Sequence, residues 1–177
     1  MYGYMFASTF TGDFGDVEAL VTAGDQGVRY ATLCYSGYAL FAALEGANGG
    51  EIAAAAGRVG AVGAGSYDVA VGTLPAAEPV SEPPDPLSAL NLVPPKYFAS
   101  ETHEAFVRVY LSSGSGSSFV AAAAEVDDVL GVCLTAGAYS SLVEIGADTL
   151  AEVVTALGAV SEISGVTAVV PALAYTA

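Results

Sequence analysis

The sequence predicts an α+β fold of two tandem ferredoxin-like βαββαβ units, each built on an antiparallel sheet. Three observations lead there. A proline-rich stretch divides the 177 residues into halves of similar length. Each half alternates strand-like and helix-like segments in the same order. Each also offers a Cys-bearing strand, a Gly turn, a Tyr-bearing strand and an Ala-rich helix, in that sequence. We read this as an internal duplication.

The dividing stretch runs from about Pro75 to Pro95 and holds seven of the eight prolines, with Glu78, Glu82 and Asp85 among them. Proline fixes φ and removes a backbone donor, which excludes a helix or a central strand there. The expected organisation is a unit over 1–74, an extended acidic linker over 75–100 with one short turn at Leu87 to Leu90, and a unit over 101–177.

In the second unit, Ala105 to Leu111 alternates, with Val107, Val109 and Leu111 on one face and Phe106, Arg108 and Tyr110 on the other. Ser112 to Ser117 is a Ser/Gly loop, and Ser117 or Ser118 can cap a helix carrying Phe119, Val120, Ala123 and Val126 on one side. Strands follow at Val129 to Ala136 and Tyr139 to Ile145, joined by the Gly137-Ala138 turn. Asp148 is the expected cap of a helix whose stripe is Leu150, Val153, Val154, Leu157 and Val160, and Val166 to Tyr175 is the last strand. The first unit repeats the order: strand Tyr2 to Thr11, helix around Phe14 to Val21, strand Val28 to Tyr35, a Ser36-Gly37 turn, strand Tyr38 to Glu45, helix Ile52 to Val59, and strand Val62 to Thr73.

Composition narrows the function. Hydrophobic residues are 54% and charged residues 13%, which supplies a core and excludes disorder. Four Lys and Arg (Arg29, Arg58, Lys96 and Arg108) face 19 Asp and Glu, a net charge of −15. Direct nucleic-acid binding and adhesion to an anionic membrane are therefore not expected. Met1 to Asp13 has no basic segment followed by an apolar run, and no apolar stretch reaches membrane-spanning length, so neither a signal peptide nor a transmembrane helix is expected. Cys34 and Cys133 sit in apolar strands and read as buried free thiols, from which a cytoplasmic location is expected.

Two helices can cover only one face of each four-stranded sheet, yet both faces are apolar. Phe106, Tyr110 and Tyr139 lie on the uncovered side. Either the halves pack together, sheet to sheet or edge to edge, or further copies cover them, so a homo-oligomer or a partner regulator is expected.

At Ala105-Phe106-Val107-Arg108-Val109, Gly137-Ala138-Tyr139, Asp148-Thr149-Leu150 and Ser164-Gly165-Val166-Thr167, the C-terminal half resembles the ligand-binding (RAM) domain of Lrp/AsnC-type regulators. The resemblance covers about 70 residues. The N-terminal half shares the element order and the Gly37-Tyr38 turn. The resemblance implies a stand-alone sensor domain without its DNA-binding helix-turn-helix, taking a small metabolite such as an amino acid. It places ligand contacts at Gly137, Ala138, Tyr139, Ser140, Gly37 and Tyr38. Where the family motif Gly-x-Tyr-Asp has its Asp, this chain has Ser140.

No residue is singled out as catalytic, and no metal or cofactor is expected. Gly114-Ser115-Gly116 precedes a helix without phosphate-loop spacing or its Lys. His103 is the one His and has no Cys or Ser motif beside it. Asp13 and Asp16, like Glu125, Asp127 and Asp128, lack calcium-loop spacing and read as solvated surface. The expected function is a metabolite-sensing or regulatory binding domain that acts through oligomerisation, not an enzyme. The alternatives are a dimeric α+β barrel enzyme of the cofactor-light oxygenase or isomerase type, and a purely structural assembly domain.

Overall fold

Strand β1 (Tyr2–Phe10) sends Tyr2, Tyr4 and Phe6 to one face and Met5 and Ala7 to the other, and both faces are buried. A strand covered on both sides reads as a continuous apolar run. The computed structural model describes residues 1–24, 26–73 and 103–174 and shows what covers each side. The proline-rich segment lies outside these residues.

The first half continues as α1 (Phe14–Ala23), β2 (Val28–Ser36), β3 (Leu40–Glu45), α2 (Gly49–Ala61) and β4 (Ala64–Thr73). The second half is β5 (His103–Leu111), α3 (Gly116–Ala123), β6 (Val129–Gly137), β7 (Ser141–Ala147), α4 (Leu150–Glu162) and β8 (Val166–Ala174). Each half is a βαββαβ unit, with strand orders β4-β1-β3-β2 and β8-β5-β7-β6. The edges then join, β2 to β8 and β4 to β6, and the eight strands close into one antiparallel barrel. Closure leaves no free sheet edge.

The helices cover the outside. Val17, Ile52, Ala55, Ala56 and Val59 pack on Met5, Leu40, Ala42 and Leu44 in the first half. Phe119, Val153, Ala156 and Val160 pack on Val107, Val143 and Ile145 in the second. The uncovered faces meet inside the barrel, where Phe106 and Tyr139 are buried and Tyr110 is half-buried. The cover that these residues need is thus supplied within one chain, from the opposite half.

Two helix starts differ from expectation. The N-cap of α3 is Ser115, so Ser117 and Ser118 fall inside the helix. The Ser115 hydroxyl bonds the Ser112 hydroxyl at 2.8 Å and does not cap. The N-cap of α4 is Thr149, not Asp148. Glu152 sits three residues on and closes a capping box, which selects Thr149.

Gly37 stands at the β2–β8 seam with φ +78°, and a Cβ there would lie 2.1 Å from the Pro171 carbonyl oxygen. Gly37→Ala is expected to destabilise by about 2–4 kcal/mol, from left-handed strain plus overpacking. Gly114, at φ +85° with no atom within 4 Å of such a Cβ, is the control. Gly114→Ala should cost about 1 kcal/mol. Urea unfolding of both variants reads the difference, and equal losses would show that the seam at Gly37 is not tight.

Candidate functional site

All ladders are antiparallel, so β1 and β5 run the same way along the bore. The β2–β3 and β6–β7 turns therefore gather at one end, and the starts of β1, β2, β5 and β6 at the other. Register makes the halves comparable. Phe6 opposes Phe41, Tyr4 opposes Ala43 and Tyr2 opposes Glu45. In the second half Arg108 opposes Leu142, Phe106 opposes Glu144 and Glu104 opposes Gly146. Where the first half places Phe6, Ala43 and Tyr2, the second places Arg108, Glu144 and Glu104.

The middle of the bore is filled. Phe41 and Phe106, one from each half, stack with centroids 3.9 Å apart. Tyr4 and Phe6 are also fully buried there.

At the turn end, Arg108 is 6% exposed. Its guanidinium carbon lies 4.2 Å from the Tyr38 ring centroid, 5.6 Å from Phe6, 5.7 Å from Tyr139 and 6.0 Å from Tyr110. Desolvated cation–π contacts of this kind contribute about 2 kcal/mol. NH1 donates to Asp68 Oδ2 at 2.8 Å, and the Asp68 side chain is 53% exposed. Nε is buried without an acceptor.

The six residues expected at a ligand site fare differently. Tyr38 and Tyr139 come together around Arg108. The Tyr139 hydroxyl donates to the Tyr4 carbonyl at 3.2 Å, which ties the halves together and leaves only the ring for Arg108. Burial holds that phenol well above its usual range, against the opposing pull of Arg108. Ser140 Oγ accepts from Leu111 N at 3.1 Å, a main-chain bond to β5. Gly37 packs on Pro171, and Gly137, at φ +137°, packs on Val69 and Ala70. Ala138 is exposed.

At the opposite end, Glu144 is 3% exposed, and its Oε2 is buried with no donor. The half-buried Glu104 accepts from the Tyr30 hydroxyl at 3.3 Å. Burial, then the Glu104 carboxyl beside it, pushes Glu144 up to about 10. Burial also raises Glu104, against hydrogen bonds from Glu144 and Tyr30 that favour its charged form. These directions agree if Glu144 keeps a proton and donates it to Glu104, as two close carboxyls in low dielectric must share one. The two thiols are inert: burial raises Cys34 to about 12 and Cys133 to about 11.

Outside the barrel, a hollow of about 630 Å³ is lined by Arg29, Arg58, Glu45 and Glu51. Arg29 is paired with Glu45 there, and Arg58 bonds Gln26. No described helix is long and apolar enough to cross a membrane.

Arg108, Glu104 and Glu144 were not among the expected site residues. A signal existed: each is a charge set within an apolar strand, as in Leu142-Val143-Glu144-Ile145, on the face shared with Phe106.

No family model matches the chain, and no curated protein does. Solved structures do. The chain is similar to the siroheme decarboxylase NirDL, with TM-score 0.59 and 11% identity over 98% of this chain and 71% of that one. It is similar to a mutant chlorite dismutase from Candidatus Nitrospira defluvii, with TM-score 0.59 and 10% identity over 98% of this chain and 91% of that one. Escherichia coli AsnC matches over 46% of this chain and 55% of its own, with TM-score 0.39 and 18% identity. The two likenesses that span the chain show shared architecture alone, that of ferredoxin-like dimeric α+β barrels with both units in one chain.

NirDL has been solved with an iron-uroporphyrin III analogue. Among the described residues, no three His, Cys, Asp or Glu side chains gather into a metal-ion site. Core side chains pack between sheet and helices in both halves, and a hollow of about 360 Å³ lies between α1 and β2, lined by Phe14, Glu18, Val21, Thr22, Tyr30 and Ala31. The single His, His103, sits at the start of β5 beside Ala147.

Proposed function

We propose that the chain is a small-metabolite-binding barrel of regulatory type, with its site at the end where the β2–β3 and β6–β7 turns meet. One observation carries this reading: Tyr38 and Tyr139, from corresponding turns of the two halves, converge on the buried Arg108. A guanidinium ringed by aromatic faces, with an orphan donor, is a recognition device that packing alone does not require. Self-association or a partner regulator would carry the signal onward, and the units over 1–74 and 101–177 would act as one ligand-responsive body.

The test is a thermal-shift and NMR screen against amino acids and small keto acids. Tyr38→Ala is expected to weaken a hit by about threefold to thirtyfold and to cost about 2 kcal/mol of stability with the lost cation–π contact to Arg108. A hit that binds Tyr38→Ala as well as the parent would place the site elsewhere.

A second reading, a barrel enzyme, is favoured by the Glu104–Glu144 pair and by the full-length likeness to siroheme decarboxylase and chlorite dismutase. A carboxyl pair in which burial raises both proton affinities can hold and pass a proton as acid and base. The same keto-acid samples in deuterated water separate the readings: exchange of substrate protons would favour the enzyme.

A further inference from the structure

We propose that the Arg108 mouth takes an organic carboxylate, which displaces Asp68; this rests on the small-molecule reading above and names its ligand class. A guanidinium has five donors, and among the described residues Arg108 forms one side-chain hydrogen bond, from NH1 to Asp68. Nε is buried without an acceptor. A carboxylate binds an arginine best through two parallel N–H···O bonds, and Asp68, placed on NH1, leaves the Nε edge unused. The present pairing is thus half complete.

Asp68 is also the exchangeable member. Its side chain is 53% exposed while that of Arg108 is 7% exposed. Swinging Asp68 into water costs little, whereas leaving Arg108 uncompensated inside the barrel costs a great deal. An incoming ligand must therefore supply the negative charge, which excludes neutral and cationic ligands. The rest of the mouth is aromatic, from Tyr38, Tyr110 and Tyr139. Those walls suit an apolar or aromatic body behind the carboxylate. A dianionic phosphate would bring a second charge that no second cation among the described residues meets, into a chain of net charge −15.

The experiment titrates the full chain, observed by amide NMR, with acetate, pyruvate and benzoate, and with benzamide and benzylamine as the neutral and cationic counterparts. Saturable shifts at Tyr38, Tyr139 and Asp68 are expected with carboxylates and not with the counterparts. Asp68→Asn removes the internal competitor and should tighten carboxylate binding about two- to fivefold, the worth of a part-exposed ion pair. Arg108→Gln should weaken it by at least about tenfold. If Arg108→Gln fails to fold, the sign of the Asp68→Asn change decides alone. Unchanged or weaker binding in Asp68→Asn overturns the proposal, as does benzamide binding as well as benzoate. Silence from all three carboxylates overturns it too, and the broader reading then falls only if the metabolite screen is silent as well.

Discussion

Raising the pH from 5 to 9 is expected to destabilise this protein more than it destabilises Glu144→Gln, and the variant should be the more stable of the two at pH 8. Glu144 titrates near its ordinary value when unfolded but is pushed up to about 10 in the barrel. Between those values the folded chain holds a proton that the unfolded chain has lost, so stability falls as pH rises through this window. At pH 7 the cost is about 2–3 kcal/mol, from about 1.4 kcal/mol per pH unit with allowance for the shared proton. Glutamine keeps the shape and can donate to Glu104 without any proton to lose. For a chain of this size the gain is about 5 °C in Tm at pH 8. Surface carboxylates affect parent and variant alike, so the difference between their melting curves isolates Glu144. Parallel curves across this range would mean that Glu144 is ionised and that its buried oxygen is compensated in some other way.

Phe106→Ala should be the most damaging core substitution named here, costing about 3–5 kcal/mol and lowering Tm by about 10 °C. Phe106 is fully buried, stacks on Phe41 at 3.9 Å and meets Tyr30 at 6.0 Å. Phe41 and Tyr30 belong to the other half, so the lost contacts are those that hold the halves to each other. Phe41→Ala should cost a similar amount, and the double mutant should lose less than the sum, by about 1 kcal/mol for the aromatic pair. Because the halves share one interior, both variants should unfold in a single transition. Two separate transitions in calorimetry, or strict additivity of the pair, would show that each half carries its own stability.

Much of this architecture is legible in the sequence because period and punctuation are local. Alternation of Val107 and Val109 with Phe106, Arg108 and Tyr110 defines β5, and the Gly37 and Gly137 turns define the hairpins. The two apolar faces of each strand also make plain that every sheet needs a second cover. Which cover is chosen depends on edge pairing, Cys34 with Ala174 and Ala70 with Gly137, between residues over 60 positions apart. No local pattern encodes that choice. The candidate site shares this limit. Tyr38 and Tyr139 follow from the turns, but their meeting at Arg108 is a product of closure. Glu144 looks like one polar residue in an apolar strand until Glu104 is brought opposite it.

The unequal halves have a consequence for how such a barrel can be assembled. Were it a homodimer of one half, every interior residue would occur twice. Two copies of Arg108 would face each other across the axis, and two Glu104–Glu144 pairs would crowd the other end, in a bore too narrow and too dry to separate like charges. Two copies of the first half would instead bring two Asp68 carboxylates together with no Arg108 to pair with them. Covalent linkage of two dissimilar copies removes the constraint. Phe6, Tyr2 and Ala43 supply bulk on one side, and a single cation and a single proton-sharing pair can be placed on the other. Symmetry is kept where it builds the wall and broken where it would duplicate the chemistry.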